Sequence, residues 1–191
     1  MTLVHKSFYF MRHGETDWNK QHRPMGQQDI DLNDRGLQQA KDSIGLLHNI
    51  KFTTIVTSPL KRAHQTAEII TRSIPKPIHI IDELKECSWG SIEGKVHHDE
   101  SWFEQWSQNG YINDAEIFND FSKRVIDGLN HALQLPGPIL VVAHGGVYWA
   151  IHKTLSMPFV NLPNCTPVYF QSPIQPNLSW MVCNLHDEGF E

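Results

Sequence analysis

Two short segments place histidine beside glycine directly after an apolar run. Arg12, His13 and Gly14 follow the run FYFM, and His144 precedes two glycines after the run ILVVA. Arginine and histidine are disfavoured in a protein interior, and glycine permits a sharp turn, so each segment is typical of the end of a buried strand. Strand ends of this kind carry the ligand-binding residues of open parallel sheets.

Arginine and glutamate occupy two comparable places further along the chain. Arg62 comes shortly after the β-branched run TTIVT, and Glu83 and Glu86 follow the run IHIID. The carboxyl ends of parallel strands meet at one edge of a sheet. We therefore expect all four segments to contribute to one site, with one or both glutamates supplying its carboxylate.

This set of side chains suits the transfer of a phosphoryl group. The guanidinium groups of Arg12 and Arg62 can hold a phosphate through paired hydrogen bonds. Two neighbouring positive charges favour the neutral form of His13, and a neutral imidazole is a competent nucleophile at phosphorus. Glu86 can give a proton to the leaving oxygen, and His144 can donate a hydrogen bond to the transferring group.

This chemistry predicts neither a metal site nor a cofactor. The sequence has no aspartate pair or Walker-type loop that would indicate magnesium, and no HExxH or Cys/His spacing of the zinc type. Neighbours in the densest histidine group, residues 97–99, would point to opposite faces of a strand. The arginines would supply the positive charge, and Gly145 would let the backbone approach the anion closely.

Apolar runs that alternate with amphipathic segments predict the scaffold. Strands are expected near 8–12, 53–58, 78–82, 139–143, 168–171 and 179–185. Helices are expected at about 34–49, 58–70, 117–135 and 147–156, with Ser58 as the N-cap of the second. We expect an α/β fold with three layers, α/β/α, and a mostly parallel central sheet that a C-terminal hairpin makes mixed.

Composition and charge narrow the class of protein. The chain has 191 residues, a net charge of −5 and three cysteines, and its hydrophobic content is 40%. These values predict one domain, 1–191, with a small cap segment at about 88–116. They also predict a cytoplasmic protein with no nucleic acid and no membrane as partner. The partners that we do expect are the small phosphorylated substrate suggested by the site residues and a possible homodimer, although no sequence pattern indicates the oligomeric state.

The motifs resemble those of the histidine phosphatase superfamily, also called the phosphoglycerate mutase-like family. The segments FMRHGETDWN, SPLKRAHQTAEI, ELKECSWGSIEG and VVAHGG occur in this order and span most of the chain. The resemblance implies that His13 becomes a phosphohistidine and that Glu86 acts as acid and base. It also implies a phosphate pocket completed by Arg12, Arg62 and His144.

The resemblance extends to candidate substrate contacts. Asn19 matches a residue that in relatives helps to bind the phosphoryl group, with an Asx turn as the alternative role. Further substrate-binding candidates are Arg23, Gly26 and Gly145. The chain departs from the family at Met25, where relatives often carry Gln, Ser or Thr, so the specificity of relatives does not carry over.

Two activities agree with the resemblance, namely hydrolysis of a phosphomonoester and transfer within phosphoglycerate. Mutases of this family carry a longer segment between the glutamate and the second histidine, with extra basic residues that bind the substrate carboxylate. Here His144 comes 58 residues after Glu86, and residues 95–121 hold one lysine, no arginine and six aromatic residues. This composition favours a phosphatase over a carboxylate-binding mutase.

We therefore expect a metal-independent histidine phosphatase that hydrolyses a small phosphorylated metabolite through a phosphohistidine. The organic part of the substrate is expected to contact one or more of the aromatic residues Trp102, Phe103, Trp106 and Tyr111. The alternative is a cofactor-dependent phosphoglycerate mutase. A non-catalytic phosphate-binding protein on the same fold is a minor alternative.

Overall fold

A six-stranded sheet forms the centre of the part of the chain that the structure describes. The structure is a computed structural model, and it describes residues 2–97, 101–108, 110–158, 160–175 and 178–185. The strands are β1 (Phe8–Arg12), β2 (Thr54–Thr57), β3 (Ile78–Ile80), β4 (Ile139–Ala143), β5 (Pro167–Gln171) and β6 (Met181–Asn184). Their order across the sheet is β3-β2-β4-β1-β5-β6.

The sheet is parallel on one side and antiparallel on the other. Strands β3, β2, β4 and β1 pair in parallel. Strand β5 pairs antiparallel with β1 and with β6. The prediction of a mostly parallel sheet with a C-terminal hairpin is therefore confirmed, and β2, β4 and β1 lie side by side with their carboxyl ends at one edge.

Six helices flank this sheet in the described residues. They are α1 (Asp17–Lys20), α2 (Asp34–Leu47), α3 (Lys61–Ser73), α4 (Ser101–Ser107), α5 (Phe118–Ala132) and α6 (Gly145–Thr154). The two helices that the sequence pattern did not predict, α1 and α4, span only four and seven residues. None of these helices combines the length and apolarity that a membrane crossing needs.

The two faces of the sheet build two separate hydrophobic clusters. Phe10 packs on the face that α5 and α6 cover, whereas its neighbour Met11 packs on the face that α2 and α3 cover. This division follows from the alternation of side chains along a strand. Burial on both faces explains why the central strands read as continuous apolar runs, and it confirms the three-layer α/β/α arrangement.

In the predicted cap segment, 88–116, the described residues form a 3-10 helix (Gly90–Ile92), helix α4 and irregular chain. Trp106 of α4 is fully buried and packs edge-on against Phe118, with 5.0 Å between ring centroids. Its indole N–H donates to the carbonyl of Glu116 at 2.7 Å. The division into one domain with a cap over these residues stays a prediction.

Candidate active site

The polar segments of the sequence meet where β1, β2 and β4 end. The backbone N–H of His13, directly after β1, donates to the carbonyl of Ala143 at the end of β4, at 2.9 Å. The rings of His13 and His144 lie 5.2 Å apart between centroids. Arg62, on the first turn of α3, places its Nε 3.3 Å from Nε2 of His13. Segments far apart in sequence thus come together because neighbouring parallel strands end at the same edge.

His13 is buried and held as one tautomer. Its Nδ1 lies 2.7 Å from the carbonyl oxygen of Gly14, which can only accept, so Nδ1 carries the proton. Nε2 is then left with a lone pair, which accepts from Arg62 Nε. Burial, followed by the charges of Arg62 and Arg12, holds the pKa of His13 well below its ordinary value. The result is a neutral imidazole with Nε2 as its nucleophilic atom.

Arg62 is fully buried and fixed by backbone carbonyls. Nη1 donates to the carbonyl of Gln28 at 2.9 Å, and Nη2 donates to the carbonyl of Gly26 at 2.8 Å. Burial lowers the pKa of Arg62 to about 10, so the guanidinium keeps its charge at neutral pH. With Nε on His13, three of the five guanidinium N–H groups have protein partners, which leaves two as candidate donors to a phosphoryl group.

Gly26 shapes the loop that holds Arg62. Its φ of +53° lies in the left-handed region, and a Cβ there would come 1.8 Å from Oε1 of Glu93. Gly26 contacts Arg62 through its carbonyl and is not among the residues that line the cavity described below. Its contact with a substrate, expected from the sequence, stays a prediction.

His144 is fully buried and shares a hydrogen bond with a serine. Its Nε2 lies 2.8 Å from Oγ of Ser58, and Nδ1 has no hydrogen-bond partner among the described residues. Burial first, and then the neighbouring groups Arg62, His13 and Arg12, lower the pKa of His144 well below its ordinary value. An unpartnered buried polar atom beside two guanidinium groups is a candidate contact for a phosphoryl oxygen.

The prediction that Ser58 caps helix α3 is wrong. The residue before that helix is Leu60, whose side chain makes no capping hydrogen bond. Ser58 instead accepts from the backbone N–H of Leu60 at 3.2 Å and meets the imidazole of His144. Sequence spacing suggested a local cap, whereas the fold brings Ser58 next to a residue 86 positions away.

Glu86 presents a buried carboxylate whose two oxygens both accept backbone hydrogen bonds. Oε1 accepts from the N–H of Cys87 at 2.9 Å, and Oε2 accepts from the N–H of Gly146 at 3.0 Å. A Cβ at Gly146 would come 2.2 Å from Oε1, so only glycine leaves room for this approach. The alternative carboxylate, Glu83, is exposed to solvent. The structure thus places Glu86, and not Glu83, beside the histidines.

Arg124, on helix α5, is a residue that the sequence analysis missed. Its guanidinium donates to the backbone carbonyls of Glu83, Lys85 and Glu86 at 2.7 to 2.9 Å. It also forms a two-point pair with the carboxylate of Glu116 at 2.7 and 2.8 Å. All five N–H groups are thereby used, and the segment that carries Glu86 is tied to α5. No motif marks Arg124, because its partners are mostly backbone atoms.

Replacing Arg124 by Met is expected to lower kcat for alkyl phosphates by about 10²-fold with little change in KM, because a displacement of about 1 Å at a catalytic group costs that much. Steady-state kinetics on the purified variant give both constants. Lys123→Met is the matched control, since Lys123 on the same helix is exposed and pairs with Asp127 on the helix surface. Equal kcat values for the two variants would show that the contacts of Arg124 do not position Glu86.

A cavity of about 790 Å³ opens beside these residues. Of the residues predicted from the sequence, Arg12, Asn19, Arg23, Glu86 and Gly145 line it. Its aromatic lining consists of Trp89, Trp102, Phe103 and Trp149.

Two of the four expected aromatic contacts lie away from this cavity. Trp106 is buried, and Tyr111 is 80% exposed. The expected role in substrate contact therefore fits Trp102 and Phe103, whereas Trp106 packs the cap and Tyr111 faces solvent.

Asn19 takes part in a capping box and lines the cavity, and its contact with a phosphoryl group stays a prediction. Its Oδ1 accepts from the N–H of Thr16 at 3.1 Å, and Thr16 in turn caps helix α1 through the N–H of Asn19 at 3.2 Å. This reciprocal capping box fixes the side chain at the cavity wall. The Nδ2 amide remains as the group that could donate to a phosphoryl oxygen.

The candidate metal ligands do not assemble in the described part of the chain, where no three His, Cys, Asp or Glu side chains are arranged to hold an ion. Within the histidine group of residues 97–99, only His97 lies inside the described residues. The positive charge beside His13 comes from arginines.

Acidification below about pH 6.5 is expected to destabilise the folded protein. Burial keeps the pKa values of His13 and His144 below the ordinary 6.5. The unfolded chain therefore takes up protons that the folded chain does not, and stability falls as the pH drops below 6.5, by up to about 1.4 kcal/mol per pH unit and histidine. Urea midpoints between pH 7.5 and 5 measure this slope. For His144→Gln we expect the unfolding free energy to fall less steeply with decreasing pH. An unchanged pH dependence would contradict the conclusion that the lowered pKa of His144 contributes to it.

Comparison with known proteins agrees with this geometry. The sequence model of the histidine phosphatase superfamily (branch 1) matches residues 8–191. The chain belongs to the histidine phosphatase superfamily. The family match covers the segments that carry His13, Arg62, Glu86 and His144, and the roles of these residues stay predictions.

Relatives in this superfamily carry two kinds of name. The uncharacterized phosphatase PhoE of Bacillus subtilis is 38% identical over 148 residues, which is 76% of this chain and 74% of the relative. A probable phosphoglycerate mutase, GpmB of Salmonella arizonae, is 35% identical over 147 residues, 72% and 68% of the two chains. The solved alpha-ribazole phosphatase of Shigella flexneri superimposes with a TM-score of 0.76 at 28% identity, covering 94% of this chain and 96% of its own.

Proposed function

We propose that the protein hydrolyses phosphomonoesters of small metabolites through a phosphohistidine at Nε2 of His13. The observation that carries the proposal is the fixed tautomer of a buried, neutral His13 between Arg62 and Arg12. Attack on an anionic phosphoryl group requires this lone pair next to two cations, and the 3.3 Å hydrogen bond from Arg62 Nε gives way to phosphorus in that step. Phosphatase-named relatives in the superfamily support the same reaction class.

Hydrolysis proceeds in two displacements at phosphorus. Nε2 of His13 attacks, the bond between phosphorus and the ester oxygen breaks, and Glu86 gives its proton to the departing alcohol. Water then attacks the phosphohistidine while Glu86 takes up a proton, the P–N bond breaks, and inorganic phosphate leaves. Arg12, Arg62 and Nδ1 of His144 face the charge that spreads over the phosphoryl oxygens.

We propose that this reaction needs no metal ion. Two arginines supply the charge that magnesium supplies in many other phosphoryl transfers. The N-terminus of α6, at Gly145, adds a backbone N–H group and a favourable field. Phosphate release that persists in the presence of a chelator would agree with this proposal, and release that requires added magnesium would refute it.

A cofactor-dependent phosphoglycerate mutase is the second candidate, and one observation favours it. Arg23 lines the cavity, and its buried Nε has no hydrogen-bond partner among the described residues. A donor in this state could bind the carboxylate of a glycerate. Against the mutase, Arg12 and Arg23 are the only Arg or Lys side chains among the described residues of the cavity lining.

One assay separates the candidates. Purified protein is incubated with 3-phosphoglycerate and a trace of 2,3-bisphosphoglycerate, and in parallel with a panel of phosphomonoesters. Phosphate release from the panel without 2-phosphoglycerate establishes the phosphatase. Rapid formation of 2-phosphoglycerate with little free phosphate establishes the mutase. If esters bind tightly but neither inorganic phosphate nor 2-phosphoglycerate forms, the protein is a non-catalytic phosphate-binding protein.

A further inference from the structure

Beyond the phosphate-binding residues, the cavity is walled by a cluster of aromatic rings. Phe103 lies 5.7 Å from Trp102 and 5.6 Å from Trp149, measured between ring centroids. Trp89 packs edge-on against Trp102, with 5.0 Å between the ring centroids. Trp102, Phe103 and Trp149 are each partly exposed. They therefore offer ring surface to an occupant of the cavity.

The cluster is held in place from behind. Trp89 is 4% exposed and packs at 4.4 Å on the buried ring of Trp106. The backbone N–H of Trp89 donates to the carboxylate of Glu93 at 2.9 Å. Buried packing and this hydrogen bond position Trp89 before any ligand binds, so ligand binding needs little further ordering of the aromatic wall.

Charge in this outer part of the cavity is balanced. Once Arg12 and Glu86 are assigned to the phosphoryl group, the charged residues that remain in the described lining are Arg23 and Glu104. A substrate with a second anionic group would meet one cation and one anion there. The uncharged polar residues of the lining are Asn19, Ser101, Ser107 and Asn161, and Met25 and Pro24 extend the apolar surface. The lining thus favours an organic group that is uncharged.

We propose that the preferred substrates are phosphomonoesters of a flat, uncharged aromatic or fused-ring alcohol. The inference rests on the proposed phosphatase function and specifies its substrate class. The phosphoryl group lies against Arg12, the lining residue directly before His13, and the ring system lies against Trp102, Phe103 and Trp149. The volume of about 790 Å³ exceeds what a glycerate needs and falls within the roughly 300–1,000 Å³ typical of pockets for drug-sized ligands.

Ring binding can be separated from leaving-group chemistry by comparing esters of primary alcohols. We expect kcat/KM to rise in the order propyl phosphate, benzyl phosphate, 2-naphthylmethyl phosphate, with at least about tenfold between the first and the last, since even one methylene in an apolar pocket is worth about 10-fold or more. Glycerol phosphate and 3-phosphoglycerate are expected to rank with propyl phosphate or below. A flat ranking, or a preference for the anionic ester, would overturn the inference.

Variants of the wall test the assignment of the residues. Trp102→Ala and Phe103→Ala are each expected to reduce the ratio of kcat/KM for naphthylmethyl over propyl phosphate to about one-third or less of the wild-type ratio. Tyr111→Ala is the matched control, because Tyr111 belongs to the same segment but is 80% exposed and lies off the cavity. A ratio that stays at the wild-type value in both wall variants would overturn the assignment.

The inference can be tested even if the proposed function fails. Binding of 2-naphthylmethylphosphonate and propylphosphonate, which have no ester bond to break, is measured by titration calorimetry. Tighter binding of the naphthyl compound supports the aromatic subsite whether or not any ester is hydrolysed. Equal binding overturns it. Absence of phosphate release from every ester counts against the phosphatase alone.

Discussion

Replacement of His13 by Gln is expected to lower kcat/KM for every phosphomonoester by roughly 10⁴-fold or more, a loss of the size seen when a catalytic nucleophile is removed. Glutamine retains polar atoms at this place but has no nucleophilic nitrogen. The loss should fall on kcat, because Arg12 and Arg62 remain to bind the phosphate. Phosphate release over hours, with the variant at high concentration, measures the residual rate.

The same variant decides whether a covalent intermediate forms. Wild-type protein quenched in alkali during turnover should carry a phosphoryl group on the peptide that contains His13, because a phosphohistidine survives alkali and is lost in acid. The His13→Gln protein should carry none. His79→Gln, which changes an exposed histidine on edge strand β3, should behave as wild type. A phosphoryl group found on a different residue would refute the assignment of His13 as the nucleophile.

Replacement of Glu86 by Gln is expected to give the second largest effect, a fall in kcat of about 10²- to 10⁴-fold for alkyl phosphates. An alkoxide is a poor leaving group, so its departure depends on a proton from Glu86. For 4-nitrophenyl phosphate the loss should be much smaller, because nitrophenolate leaves without a proton. The measurement is kcat for a series of esters that spans the range of leaving-group acidity.

The dependence on leaving group separates acid catalysis from a structural effect. An amide can accept a hydrogen bond through only one of its two terminal atoms, so Glu86→Gln also loses one contact, to Cys87 or to Gly146. A structural defect would slow all esters alike. Glu83→Gln, three positions earlier and exposed, is the control and should leave the whole series unchanged. Equal losses for alkyl and nitrophenyl esters would argue against Glu86 as the acid.

Strong local patterns made most of the scaffold predictable. The central strands are buried on both faces, so their apolar runs are continuous, and the amphipathic helices show their buried stripes at helical spacing. Short elements were missed for the opposite reason. Helix α1 has four residues and depends on a capping box between Thr16 and Asn19, and α4 lies in a stretch without helical periodicity.

The sequence by itself determined the family, the fold class and the residues that gather at the sheet edge. His13, Arg62, Glu86 and His144 follow strands or begin helices, and parallel strands bring their carboxyl ends together whatever the details of packing. The choice between Glu83 and Glu86 also followed from the family motif, and the structure places Glu86 at the site.

Only the tertiary structure decided which side chains support the site and which meet a substrate. Ser58 contacts His144, Gly26 holds Arg62, and Arg124 holds the Glu86 segment, each through contacts between residues distant in sequence. Trp102 and Trp106 are four residues apart on one helix, yet the first lines the cavity and the second is buried. Sequence shows residue type and local spacing, whereas these roles depend on which atoms the packed chain brings within reach.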